Sequence, residues 1–260
     1  MAPRLPRLID ALRRQRAADA WRAAAGAVTT MRTTDLAALG PVARDVAAQA
    51  RRIADASEAR MKRPRMDEDG IARPAQCDWA WRPLPWSAAL DPACISGAAG
   101  GTTLAPGVTL FHDCPLSEIT LRQRRSTDPL AVAPYALSLD ALRFDGSFLS
   151  LALDLPPDGA TTLRTSHIVR VTLTLRRERP AEMFVRLNVR HGPNTEQLVS
   201  ELSPGNRPDS PVTAEFDLGF QEINPTRLEH AWIDLIFERP AMNRVDIADM
   251  TVTRRPRADL

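Results

Sequence analysis

Lysine is almost missing from this chain: Lys62 stands alone, and arginine supplies every other cationic side chain. Such a skew reads as a coding bias toward arginine, and it points to no particular anion site. Cysteine is scarce and odd in number, and Cys77, Cys94 and Cys114 match no metal-ligand or redox spacing. No apolar run approaches the roughly 18–20 residues of a transmembrane helix, and residues 1–10 lack the apolar stretch of a signal peptide. A reducing cytoplasm is therefore the expected setting. A serine hydrolase is disfavoured because no Gly-x-Ser-x-Gly elbow occurs. Residues 96–103 are rich in Gly, Ala and Thr but carry no lysine and no strand-to-helix setting, so they read as a flexible loop and not a phosphate loop.

Charge is nearly balanced overall, at a formal +2, but it is unevenly spread. Residues 1–66 hold fourteen Lys/Arg against six Asp/Glu, and the rest of the chain is net acidic. That basic quarter has helical character. Residues 7–25 favour helix, with Leu5, Leu8, Ile9, Leu12 and Trp21 sharing much of one face, and residues 26–30 break it. Thr34 or Asp35 can cap a second segment, with Pro41 at a first-turn position after Gly40. Val42, Val46, Ala50, Ile53 and Ser57 then recur at helical spacing. A stripe of such small residues packs closely but buries little, so a helical hairpin that needs a partner surface is expected. The partner is its own domain, a second copy of the chain, or an anionic membrane surface. The lack of any recognition motif argues against nucleic acid. Residues 1–62 form this arm and 63–76 a linker with Pro64, Gly70, Pro74 and a single apolar residue, Ile71, between Met66 and Pro74.

Beyond the linker the period changes to two. Residues 169–176 alternate apolar and polar without a break, residues 177–182 interrupt, and residues 185–190 resume, which reads as two half-buried antiparallel strands. Further strands are expected at 108–111, 119–122, 137–139, 148–155, 212–218, 232–237 and 245–252, with Asp145-Gly146 as a tight turn. Regular strands with Gly/Pro turns predict a mainly β fold, an antiparallel jelly-roll-like β-sandwich over residues 77–260, preceded by the helical arm. Glu-Arg-Pro-Ala occurs twice, at 178–181 and 238–241, each time between two strands, and suggests two equivalent hairpins. Residues 77–86 concentrate three of the five tryptophans. Their two prolines forbid a central strand, so an irregular lid over one end of the sandwich is expected, each indole N–H meeting a backbone acceptor; an aromatic platform for sugars is the alternative.

Several segments carry a family resemblance. Asp78-Trp79-Ala80-Trp81-Arg82-Pro83, Thr109-Leu110-Phe111-His112-Asp113-Cys114, residues 143–150, residues 186–194 and the ending 254–260 resemble an uncharacterised family of alphaproteobacterial proteins. Its members come mostly from marine and photosynthetic relatives of Rhodobacter and share a domain of unknown function. The resemblance implies a bacterial, intracellular setting, and it brings no catalytic or binding residue.

The candidate chemistry is sparse. His112 and Cys114 would share one strand face, but Asp113 faces away, and a buried thiol beside a satisfied histidine is the plainer reading. Asp145, Asp154, Asp246 and Asp249 fall on separate strands, so no metal site or cofactor is expected, although a calcium on oxygen ligands stays open. The stronger candidate is a ligand-binding face. With Val185, Leu187 and Val189 inward, Arg186, Asn188 and Arg190 point outward; with Ile233, Leu235 and Phe237 inward, so do Trp232 and Asp234. An indole beside planar polar groups suits a glycan or polyol, and His191 and Asn194 would close its rim. The chain is therefore expected to be a non-catalytic binding module. A structural or assembly protein, working through the arm, is the alternative.

Overall fold

A computed structural model describes residues 5–61, 70–127, 131–202 and 210–257, with the side chains of 5–14 and 55–61 outside that description. The chain divides into two compact units, Met1–Ala54 and Asp55–Leu260. The first carries α1 (Leu5–Gly26) and most of α2 (Thr33–Met61). Gly26 ends α1 as expected, and Asp35 in the first turn of α2 suits the positive end of the helix. Pro41 does not begin a helix; α2 runs through Gly40 and Pro41. Pro41 removes one intrahelical hydrogen bond, and its exposed position leaves the orphaned carbonyl to water. No residue from 15 to 54 is buried, so the close small-residue packing expected of a hairpin does not occur among them. The apolar face expected around Leu5, Leu8, Ile9 and Leu12 lies outside the described side chains. No helix among the described residues is long and apolar enough to cross a membrane.

The second unit is the expected β-sandwich. It begins with β1 (Trp79–Trp81), the single turn α3 (Leu84–Ser87), β2 (Cys94–Ser96), β3 (Thr102–Ala105) and β4 (Val108–His112). Then come β5 (Ile119–Arg125), β6 (Tyr135–Ala141), β7 (Leu149–Asp154), the turn α4 (Pro157–Ala160) and β8 (His167–Arg177). Next are β9 (Met183–His191), β10 (Asn194–Glu201), β11 (Val212–Asp217), β12 (Leu228–Phe237) and β13 (Asn243–Pro256). One sheet has the order β11-β8-β13-β6-β5-β2, with β1 added on β13; the other is β10-β9-β12-β7-β4-β3. All pairings are antiparallel among the described residues. Period-two alternation sends Val169, Val171 and Leu173 of one sheet and Leu151, Leu153, Leu187, Ile233 and Leu235 of the other into a shared core.

The repeated Glu-Arg-Pro-Ala segments are not hairpins. Each carries the chain from one sheet to the other, β8 to β9 and β12 to β13. The two corners lie side by side. Arg179 N–H donates to Asn243 Oδ1 (2.9 Å), Asn243 Nδ2 donates to the Arg179 carbonyl (3.0 Å), and Glu238 N–H donates to the Glu182 carbonyl (3.0 Å). A proline in each corner fits because a chain leaving a sheet gives up its ladder partner anyway.

Two further expectations change. Of the linker, residues 63–69 lie outside the described residues, but Ile71 is buried and the Gly70 carbonyl accepts from Arg82, so this end belongs to the sandwich. The 96–103 segment is packed: Ala98 is buried, and a Cβ on Gly100 would sit 2.2 Å from the His112 carbonyl oxygen. The missing side chain lets two backbones touch.

The tryptophan segment is more ordered than a lid. Trp79 and Trp81 lie on β1, half-buried and stacked (centroids 6.4 Å apart), and Trp86 is fully buried with its indole N–H on the Ile247 carbonyl (2.9 Å). The Trp79 indole N–H finds a side chain instead of a backbone acceptor, Asp158 at 3.0 Å. Beside it Arg254, buried, makes a two-pronged pair with Asp78 (3.0 and 3.1 Å).

His167 completes that corner. Its Nδ1 accepts the Arg164 N–H (3.1 Å) and its Nε2 lies 3.8 Å from Asp78. Burial, reinforced by the nearby Arg254 and Arg164 and opposed by Asp78, holds its pKa below the ordinary 6.5. The unfolded chain therefore takes up the proton more readily. Stability from this site is fully present above about pH 6.5 and declines as pH falls through the depressed folded-state value. Urea titrations of wild type and His167→Gln across that range should show the wild type losing stability with acid more steeply than the variant.

Candidate ligand-binding face

The two outer faces of the sandwich differ in character. On the seven-stranded sheet, charged side chains pair across strands: Arg244 with Asp140, Arg124 with Asp246 (2.6 Å), and Arg170 with Glu215 (2.7 Å). The six-stranded sheet carries its large apolar and aromatic residues on the outside as well. Register places Trp232 between Asn188 and Asp154, Asp234 between Arg186 and Ala152, and Ile236 between Phe184 and Ser150, with Phe111 beyond Ser150. A solvent-facing sheet surface of this composition is where a partner is expected to sit.

Its centre is a buried polar cluster. Asp234 is 3% exposed although it points away from the core, and Asn188 is 0% exposed. Oδ2 of Asp234 accepts two hydrogen bonds, from Arg186 Nε (2.9 Å) and Asn188 Nδ2 (2.9 Å), and Arg186 Nη2 lies 2.8 Å from the same oxygen as an ion pair. Asp234 Oδ1 takes no bond from a described residue, and Asn188 Oδ1 is a buried acceptor without a partner. Buried acceptors are rarely left unpaired, so a water or a ligand hydroxyl is called for here. Trp232 lies alongside, half-buried, with no described acceptor on its indole N–H.

Five of the seven expected residues thus share this face: Arg186, Asn188, Arg190, Trp232 and Asp234. Arg190 stands at the rim, 3.2 Å from Glu229, and does not join the cluster. His191 and Asn194 are a correction. Alternation that puts Val185, Leu187 and Val189 inward also puts His191 inward, buried, with Glu196 3.7 Å from its Nε2. Asn194 is its cross-strand partner at the start of β10 and lies with it, away from the ligand face.

One residue was missed. His230 stacks on Trp232 (centroids 5.3 Å, planes 23° apart), and its Nε2 is 3.1 Å from Asp154 Oδ1. It covers one side of the indole, and Trp232 remains half-buried. The two-residue spacing from His230 to Trp232 was the available signal.

The reactive-looking trio is tied up locally. His112 Nε2 meets the Ala98 carbonyl (2.9 Å) and its Nδ1 accepts the Cys114 N–H (3.2 Å), so neither nitrogen is free to activate a thiol. Cys114 Sγ donates to Asp145 (3.0 Å). Asp113 accepts from Ser147 and Phe148, and the Ser147 hydroxyl is the main cause of its lowered pKa. Asp154, Asp246 and Asp249 each meet a different partner, His230, Arg124 and Arg82, and do not converge.

Residues 1–260 match the model of a family of unknown function, DUF6478. The chain belongs to that family. No curated protein matches this DUF6478 member. Among solved structures it is similar to the family 11 carbohydrate-binding module of Clostridium thermocellum, with 9% identity over 64% of this chain and 97% of that one and a TM-score of 0.38. The Stig cyclase of Fischerella sp. TAU gives 13% identity over 63% and 91%, with a TM-score of 0.38. The enzymatically active domain of tailspike protein 4 from bacteriophage CBA120 gives 7% identity and a TM-score of 0.40 over 60% of this chain. The DUF6478 chain spans only 21% of that tailspike chain. These neighbours differ in chemistry, and none of them decides what this chain binds.

Proposed function

We propose that the chain is a non-catalytic binding module whose six-stranded sheet takes a glycan or similar polyol across Trp232 and Asp234. The observation that carries this reading is the one-sided use of Asp234. Both of its hydrogen bonds and its ion-pair contact with Arg186 fall on Oδ2, which leaves Oδ1 as an acceptor held rigidly by Arg186 and Asn188 beside a Trp232 N–H that meets no acceptor among the described residues. A sugar ring stacks on the indole face opposite His230 while adjacent hydroxyls donate to Asp234 Oδ1 and accept from the indole N–H. The polar groups are preorganised, so little is lost in ordering them on binding. Arg186 is matched by Asp234 and Arg190 by Glu229, and Asp154 engages His230, so no arginine at this face is left to attract an anionic ligand.

The full-length chain, applied to a broad glycan array and followed by calorimetry, tests this. A retained glycan whose affinity falls about tenfold or more in Trp232→Ala, with the unfolding midpoint little changed, is the expected result. Absence of binding on the array, and to cell-envelope polysaccharides in calorimetry, would rule the proposal out.

A further inference from the structure

The second helix presents an apolar stripe that no described residue of its own unit covers. Val42 is 52% exposed, Val46 36% and Ile53 72%, with Leu39 half-buried on the same side. Leu39, Val42, Val46, Gln49 and Ile53 fall on alternating a and d positions of one heptad frame. That frame sets Asp45 and Arg52 at g positions, small Ala43 and Ala50 at e, and Gly40 and Pro41 on the far side. Asp45 and Arg52 are both exposed, and neither is engaged in an ion pair with another described residue.

We infer that α2 pairs antiparallel with α2 of a second copy of this chain. Antiparallel helices bring g positions against g positions, so Asp45 of each copy meets Arg52 of the other, once at each end of the contact. Val42 then packs on Ile53 of the opposite copy, Val46 lies against Gln49, and Ala43 and Ala50 let the backbones approach closely. A parallel pair would set Asp45 against Ala50 and lose the charge match, so the charges choose the orientation. The missing hydrogen bond at Pro41 stays on the solvent side. This pairing is independent of the glycan reading, since it uses the other compact unit.

Sedimentation equilibrium on the full chain tests it through a charge exchange. Wild type should run as a dimer. Asp45→Arg sets arginine against arginine at both ends, Arg52→Asp sets aspartate against aspartate, and each should weaken dimerisation by about tenfold or more. The double variant should recover wild-type dimerisation. So should an equimolar mixture of the two single variants, which regains both opposite-charge contacts as a mixed pair. A monomeric wild type would overturn the inference, as would a dimer indifferent to both single changes. A monomer that floats with anionic phosphatidylserine vesicles through α2 would overturn it in favour of a membrane-facing stripe.

Discussion

Asp249→Ala is expected to destabilise the sandwich by about 1–3 kcal/mol, because it takes two charge-assisted hydrogen bonds away from the enclosed Arg82 guanidinium. The Arg82 side chain is 4% exposed and the Asp249 side chain 22%, and two bonds join them, Nε to Oδ1 at 2.8 Å and Nη2 to Oδ2 at 3.0 Å. β13 slips register between Ile247 and Asp249, so that Met250 faces the core opposite Leu173 while Asp249, opposite Thr174, lies on the other face and meets Arg82 there. Arg82 also holds the Gly70 carbonyl (3.1 Å), so the pair ties down the segment that leads into β1. Guanidinium denaturation should show a lower midpoint with an unchanged slope. Arg82→Met should cost at least as much as Asp249→Ala, because it also gives up the bond to the Gly70 carbonyl. A loss below about 1 kcal/mol in the single variant would mean that the segment is anchored by other contacts.

Trp86→Ala is expected to cost about 3–5 kcal/mol, the range for emptying a large aromatic site in a packed core. Trp86 is 0% exposed, and its indole N–H satisfies the Ile247 carbonyl at the same register slip. Trp86→Phe separates the two contributions. It keeps most of the volume and removes the donor, and should cost about 1–3 kcal/mol for the stranded carbonyl. Because Arg82 and Trp86 grip neighbouring points of β13, losses in the Asp249→Ala, Trp86→Ala double variant should fall short of their sum. Full additivity would show that the two anchors act independently.

How much of this was legible from the residues depends on range. Strands with an unbroken period of two, such as β7, β8, β9 and β12, were plain because each buries one face. β10 was not: it lies at a sheet edge and offers the core only Leu198. β2 and β3 are too short to show a period at all. Trp232 faces out because Ile233, Leu235 and Phe237 face in, and the same rule applied strictly would have turned His191 inward and set His230 beside Trp232. Asp234 differs in kind. Its facing was legible, but its enclosure depends on Arg186 and Asn188 from the neighbouring strand, which alternation within one strand cannot show. Arg82 with Asp249 and Arg254 with Asp78 join residues from opposite ends of the sandwich sequence, and no local pattern announces them.

The ligand face itself is tested most directly by the indole N–H resonances of the five tryptophans, followed as the strongest-binding oligosaccharide from the array is titrated into the full chain. Trp232 should shift progressively to saturation while Trp86, sealed against Ile247, stays in place. Movement of Trp79 and Trp81 with Trp232 unmoved would place the ligand at the opposite sheet and contradict the assignment.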